Sequence, residues 1–136
     1  MNACAIILEA RRSDLVGSPT ATSARMRLDS LVQAGPTLAS PLRVSAALEL
    51  AELDERRADL SGALAAVQRR ENEYNPRYLS TQLLWEGRLA ARLGNRAAAI
   101  RAYRHYLVLR FDPEPSLRPT VDSVRAALAE LERQRP

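Results

Sequence analysis

Side chains able to carry catalytic chemistry are scarce in this chain of 136 residues. It has one histidine, His105, and one cysteine, Cys4, whereas an activated nucleophile needs a base beside it and a His- or Cys-rich zinc site needs several such ligands. All 20 basic residues are arginines, which excludes a lysine-dependent phosphate loop and a lysine Schiff base. The composition therefore predicts a protein that is not an enzyme and that needs no metal or cofactor.

A pair of carboxylates is the remaining arrangement that could do acid–base work. Glu52 and Glu55 fall on one face of a predicted helix, but a solvated polar face accounts for the same spacing. His105 is expected on the side of its helix opposite the apolar residues, between Arg101 and Arg104. We interpret all of these as surface groups and predict no catalytic residue.

The basic residues are concentrated in one segment. The formal charge of the whole chain is +4, and residues 76–111 carry seven arginines against the single acid Glu86. A basic helical segment can bind a phosphate backbone, and such binding weakens steeply as salt rises. Nucleic-acid binding through 76–111 is therefore kept as the alternative function.

Glycine and proline divide the chain into segments that have helical length and helical composition. They predict an all-α single domain over 1–136, with helical hairpins at about 3–34, 41–72 and 76–110 and a capping helix at about 116–134. No apolar run approaches the roughly 20 residues that a membrane-spanning helix requires. We therefore expect no membrane insertion and a cytoplasmic protein.

Local signals predict where several helices begin and end. Pro41 and Pro76 suit a first helical turn, Asp59 and Asn95 suit N-caps, and Gly94 suits the end of a helix.

The sequence predicts further detail for two of these helices. The last one is expected to start at Ser116 or Thr120. The helix after Pro41 is expected to bury an apolar face that includes Ala51 and extends to Asp54, with Glu49 outside that face.

A helix, a tight turn and a second helix are repeated at an offset of 36 residues. In each copy two small residues lie 12 positions apart, which predicts a close contact between the two helices, and a larger side chain follows. The matched pairs are Ala51 with Gly87, Ala63 with Ala99, and Val67 with Tyr103.

The second copy resembles the tetratricopeptide repeat family. The resemblance is clearest over 83–109, LLWEGRLAARLGNRAAAIRAYRHYLVL, where Gly87, Gly94-Asn95, Ala99 and Tyr103 fall on the family's small, turn, small and aromatic positions. The segment is also similar to repeat regions appended to bacterial serine/threonine kinases and transcriptional activators. Several positions depart from the family pattern: Arg70, Glu86, Ala90, Tyr106 and Pro113.

This resemblance implies a right-handed superhelix of antiparallel hairpins, an α-solenoid, with a C-terminal capping helix. It also implies a non-catalytic module that binds a peptide or partner protein, as a repeat or regulatory part of a larger bacterial protein. Carried over by position, the partner-binding residues are Glu52, Glu55, Thr81, Leu84, Arg88, Ala91 and Arg92.

The charges of these residues suggest what they would bind. Arg88 and Arg92 would recognise an acidic peptide, because arginine binds carboxylates in a bidentate manner. The alternative is that Glu52 and Glu55 pair with these arginines across neighbouring helices. The sequence leaves the oligomeric state and the identity of the partner open.

Overall fold

The computed structural model describes residues 2–34, 40–70 and 75–134. Within these ranges the chain forms seven α-helices and no β-strand, which confirms the all-α fold class. The helices are α1 (Ala3–Leu15), α2 (Ala21–Gln33), α3 (Ser40–Arg56), α4 (Leu60–Gln68), α5 (Pro76–Arg92), α6 (Arg96–Leu109) and α7 (Arg118–Arg133).

The helices form two compact units, Met1–Tyr74 and Asn75–Pro136. In the first unit, α3 packs against α1, α2 and α4. In the second unit, α6 packs against both α5 and α7. Helices that are neighbours in the sequence are therefore also neighbours in space within each unit.

The α3–α4 and α5–α6 turns have the same backbone geometry, 36 residues apart. Ala58 and Gly94 occupy equivalent positions and have φ of 61° and 73°. The following residues, Asp59 and Asn95, are the N-caps of α4 and α6, and their side chains accept hydrogen bonds from the amides of residues 62 and 98 at 2.8 and 3.2 Å. Both predicted caps are confirmed, and the repeat is present in the local structure.

The contact between α5 and α6 depends on the absence of a side chain at Gly87. A Cβ atom built there would lie much closer than van der Waals contact distance to the Tyr103 ring carbons Cδ1 and Cε1, and 3.0 Å from Cζ. Ala99 and Tyr103 are both buried on the facing side of α6. In the first copy the equivalent pair is Ala51 and Val67, both fully buried, so a residue with a methyl group is matched there by a side chain smaller than tyrosine.

Charged contacts tie the helices of the first unit together. Arg25 on α2 donates to both carboxylate oxygens of Asp54 on α3, at 2.6 and 2.8 Å, and Asp54 is only 1% exposed. These hydrogen bonds raise the pKa of Arg25, because they favour its charged form. The predicted inward position of Asp54 is thereby explained.

The prediction for Glu49 is wrong. It was expected on the solvent side of α3, but it is buried and pairs with Arg11 on α1 at 2.7 Å. The reason is that α3 has neighbours on three sides, so that its polar face is covered by α1 and is neutralised there by an arginine.

The predicted start of the last helix is also wrong. A 3-10 turn over Pro115–Leu117 leads directly into α7, which begins at Arg118. Leu117 is its N-cap residue and makes no side-chain cap hydrogen bond, so neither Ser116 nor Thr120 is the N-cap of α7.

Exchanging the residues at the two turns should have opposite effects. Because a left-handed φ costs a non-glycine residue roughly 1–2 kcal/mol, Ala58→Gly should stabilise the fold by up to about 1 kcal/mol after the added chain entropy of glycine. Gly94→Ala should destabilise it by about 1 kcal/mol from backbone strain alone, since a Cβ there meets no atom within 4 Å. Urea denaturation followed by circular dichroism would measure both, and a lower midpoint for Ala58→Gly would contradict the shared geometry.

A second exchange tests the helix contact in the second unit. Gly87→Ala should destabilise by roughly 1–3 kcal/mol, because its methyl group collides with Tyr103. In a Tyr103→Val background, which reproduces the pair found in the first copy, the same substitution should cost much less. A double-mutant cycle of urea midpoints gives this coupling, and additive effects would show that the two residues do not share one space.

Candidate functional site

The predicted partner-binding residues of α5 share one face of that helix. Thr81, Leu84 and Ala91 are partly buried, whereas Arg88 and Arg92 are exposed. The opposite side of α5 carries its buried residues, among them Gly87, which meets Tyr103 of α6. This division arises because the apolar positions of α5 recur with helical spacing, so one helix both builds the core and presents a surface.

An open groove of about 240 Å³ lies along this face in the second unit. Its lining residues come from α5, α6 and α7: Leu84, Arg88, Tyr103, Thr120, Ser123, Val124 and Ala127. Tyr103 and Val124 are buried members of the apolar core of this unit, so they form the floor. The residues of the lining that carry polar groups are Arg88, Tyr103 and the two hydroxyl residues of α7. An apolar side chain bearing a nearby negative charge fits this chemistry.

Arg88 is held at the rim by an aromatic ring. Its guanidinium carbon lies 4.2 Å from the centroid of Trp85, a distance typical of a cation–π contact. This contact uses the face of the guanidinium, whereas hydrogen bonds to a carboxylate form in its plane. Stacking on Trp85 is therefore compatible with carboxylate binding.

Tyr103 connects the core to the groove. Burial raises the pKa of its phenol, because the charged phenolate is poorly solvated there, and the positive charge of Arg88 partly opposes this shift. Burial also raises the pKa of Tyr106, one turn further along α6, against the opposing charge of Arg110. Packing in this unit therefore favours the neutral form of both phenols.

The wall formed by α7 is fixed by arginines of α6. Nε of Arg96, at the start of α6, donates to the carbonyl oxygen of Leu131 at 2.6 Å, which satisfies a carbonyl in the last turn of α7. Arg104 donates to the carboxylate of Glu132 at 2.7 and 3.0 Å. These contacts hold the end of α7 against α6.

The arginines of 76–111 therefore differ in their roles. Arg96 and Arg104 bind α7, and Arg110 donates to the hydroxyl of Ser80 at 3.1 Å. Arg77 and Arg101 are exposed. The high charge of this segment thus partly reflects contacts that hold the second unit together.

The two acidic residues predicted for the site lie in the first unit. Glu52 accepts hydrogen bonds from Arg11 at 3.3 Å and from Arg56 at 2.9 Å, and Glu55 is partly buried on the same helix. The predicted groove would join these residues to α5, and the alternative would pair them with the arginines of α5. Either arrangement would connect the two units, and both remain predictions. The groove described above belongs to the second unit alone.

Sequence reasoning missed Tyr103 and the whole α7 wall as groove residues. A signal for them was present, since the repeat offset of 36 carries Leu84, Arg88 and Ala91 onto Thr120, Val124 and Ala127. Extending the repeat one step further would have placed the first half of α7 beside α5 as a third groove-lining helix.

His105 is exposed, as expected. Over 2–34, 40–70 and 75–134 no three His, Cys, Asp or Glu side chains are grouped as metal ligands, and none of the helices in these ranges is both long and apolar enough to cross a bilayer. Comparisons of the chain with protein-family models, with curated proteins and with solved structures gave no match.

The two buried tyrosines should make the second unit less stable at alkaline pH. The pKa values of Tyr103 and Tyr106 are raised in the folded chain, so the folded state binds more protons than the unfolded state above the ordinary value of about 10. Their contribution to stability is complete below that pH and is lost as pH rises through the folded-state values. Urea midpoints should therefore fall above about pH 10, and this fall should be smaller in Tyr103→Phe/Tyr106→Phe. An equal fall in that variant would contradict this assignment.

Proposed function

We propose that the chain is a non-catalytic protein-interaction module that binds an acidic peptide segment in the groove between α5 and α7. Its hairpins would belong to a right-handed, tetratricopeptide-like superhelix closed by α7. Such a module would act in the cytoplasm as a repeat or regulatory part of a larger bacterial protein. The groove of the second unit is the observation that carries the proposal, because it combines an apolar floor with one positioned guanidinium.

The dimensions of the groove suit part of a peptide. A space of about 240 Å³ accommodates one aliphatic or aromatic side chain, whereas complete small-molecule sites run from about 300 to 1,000 Å³. Leu84 and Ala127 provide apolar surface on the two walls. A partner would therefore insert one apolar residue, and a carboxylate next to it would bind Arg88.

Nucleic-acid binding is the alternative, and the contacts of the arginines favour the peptide. A phosphate-binding surface needs several exposed cations in a row, but Arg96, Arg104 and Arg110 make hydrogen bonds within the second unit. A groove with an apolar floor is also unlike the charged surface that tracks a duplex. Salt dependence separates the two, since a duplex binder should lose affinity steeply between low and physiological salt.

The test uses a fluorescent peptide with a single leucine flanked by glutamates, together with the emission of Trp85, the only tryptophan in the chain. Arg88→Glu/Arg92→Glu should weaken binding by about 10- to 100-fold, because charge-assisted hydrogen bonds of about 1.5–3 kcal/mol are replaced by repulsion. Ala127→Phe should also weaken binding by filling the groove.

Arg101→Glu is the matched control, since it reverses an exposed arginine on α6 outside the groove lining. It should change affinity less than about twofold. If binding survives the double reversal but is lost on changing Arg101 and Arg104, the binding surface lies on the outer side of α6 and the groove assignment is wrong. Circular dichroism and melting temperature confirm that each variant is folded.

A further inference from the structure

The floor of the groove in the second unit contains a polar group, the hydroxyl of Tyr103. This residue is 6% exposed and lines the groove, so the small part of it that reaches solvent opens there. Its ring packs against α5 at Gly87, and Cζ, the carbon that carries the hydroxyl, lies 3.0 Å from the position of a Cβ atom built on that glycine. The hydroxyl therefore lies beside the backbone of α5, at the base of the groove.

The Tyr103 hydroxyl has no hydrogen-bond partner among residues 2–34, 40–70 and 75–134. Buried tyrosines normally satisfy this group, because removing it from water without a partner costs free energy. Serine and threonine hydroxyls on a helix can bond to a carbonyl of the preceding turn, whereas a phenol oxygen lies too far from the backbone of its own helix. Tyr103 thus brings an unused donor to the groove.

The Arg88 guanidinium belongs to the same part of the groove. Arg88 follows Gly87 in α5 and lines the groove together with Tyr103. Burial raises the pKa of the phenol and the charge of Arg88 partly opposes this shift, an interaction that requires the two groups to be near each other. Because its pKa is raised, the phenol keeps its proton at neutral pH and remains a donor.

Two donors placed together in this way suit a carboxylate. The guanidinium donates N–H groups in its plane and the phenol donates one O–H. A carboxylate accepts several hydrogen bonds at its two oxygens, so it can bind both donors at once. A primary amide offers one acceptor oxygen and brings N–H donors, for which a guanidinium has no acceptor.

We propose that the Tyr103 hydroxyl is a ligand-binding group of the groove and donates a hydrogen bond to the carboxylate that Arg88 binds. This inference rests on the proposed function and specifies it, because the carboxylate has to reach the floor of the groove rather than stay at the rim. A peptide in which the acid lies next to the inserted apolar side chain satisfies this geometry.

The test removes the hydroxyl and nothing else. Tyr103→Phe keeps the ring against Gly87 and deletes a group that has no partner in the described part of the fold, so the melting temperature should stay nearly unchanged. The fluorescent peptide with one leucine flanked by glutamates should bind this variant about tenfold more weakly. A counterpart with alanine in place of glutamate lacks the acceptor, so its affinity should change by less than about twofold.

Tyr106→Phe is the matched control, because Tyr106 is a buried tyrosine one turn further along α6 and is not part of the groove lining. It should change the affinity for either peptide by less than about twofold. Absorption spectra then identify the hydroxyl directly, since a phenol that donates to a carboxylate absorbs at longer wavelength. The glutamate peptide should shift the tyrosine absorption of the wild type and of Tyr106→Phe to longer wavelength, but not that of Tyr103→Phe.

The results separate this inference from the proposed function. If Arg88→Glu/Arg92→Glu abolishes binding of the glutamate peptide but Tyr103→Phe binds it as tightly as the wild type, the function stands and the inference is wrong. Equal losses of the glutamate and alanine peptides in Tyr103→Phe would show that the hydroxyl acts through packing. A loss of about tenfold in Thr120→Val, with none in Tyr103→Phe, would assign the second donor to α7. If the wild type does not bind the glutamate peptide, the function and the inference are both wrong.

Discussion

The close approach of α5 to α6 at Gly87 is the constraint on which the second unit depends. Without a Cβ atom at this position, the ring of Tyr103 lies directly over the backbone of α5. The same ring then forms the floor of the groove. Because Arg88 follows Gly87 in the chain, the contact that joins the helices also places Arg88 at the rim. The core of this unit and the candidate site therefore depend on the same contact.

The groove has its second wall only because α7 is in place. Its apolar side packs on α6 through the buried residues Val121 and Val124, and its other end is held by Arg96 and Arg104. Arg96 stands at the start of α6, where the helix dipole does not favour a cation, but it meets the last turn of α7, where the dipole does. Pairing the start of one helix with the end of the next resolves this conflict and positions the far wall of the groove.

Arginine has both structural and surface roles in this protein. In the first unit, Arg25 neutralises the buried carboxylate of Asp54, and Arg11 does the same for Glu49. Losing one member of such a pair is costly, because the other charge stays buried. Part of the positive charge counted in the composition is therefore neutralised by ion pairs within the fold and is not available to a binding surface.

Much of the local structure was determined by the sequence. Asp59 and Asn95 cap their helices because their side chains reach amides three residues ahead, and this depends on nothing outside the turn. The repeated spacing of small residues likewise identified Gly87 as a position of close helix contact, since such positions determine how closely two helices approach. The left-handed Ala58 was missed, because its residue type gives no signal of a positive φ.

Only the tertiary structure decided which surfaces are covered. Helical periodicity separates two faces of a helix, but it does not specify how many neighbours that helix has. Glu49 was therefore placed in solvent although α1 covers it, and the groove was built from α5 without the α7 wall. Leu8 and Leu15 of α1 show the converse, since these apolar side chains stay exposed where no described helix of the first unit covers them.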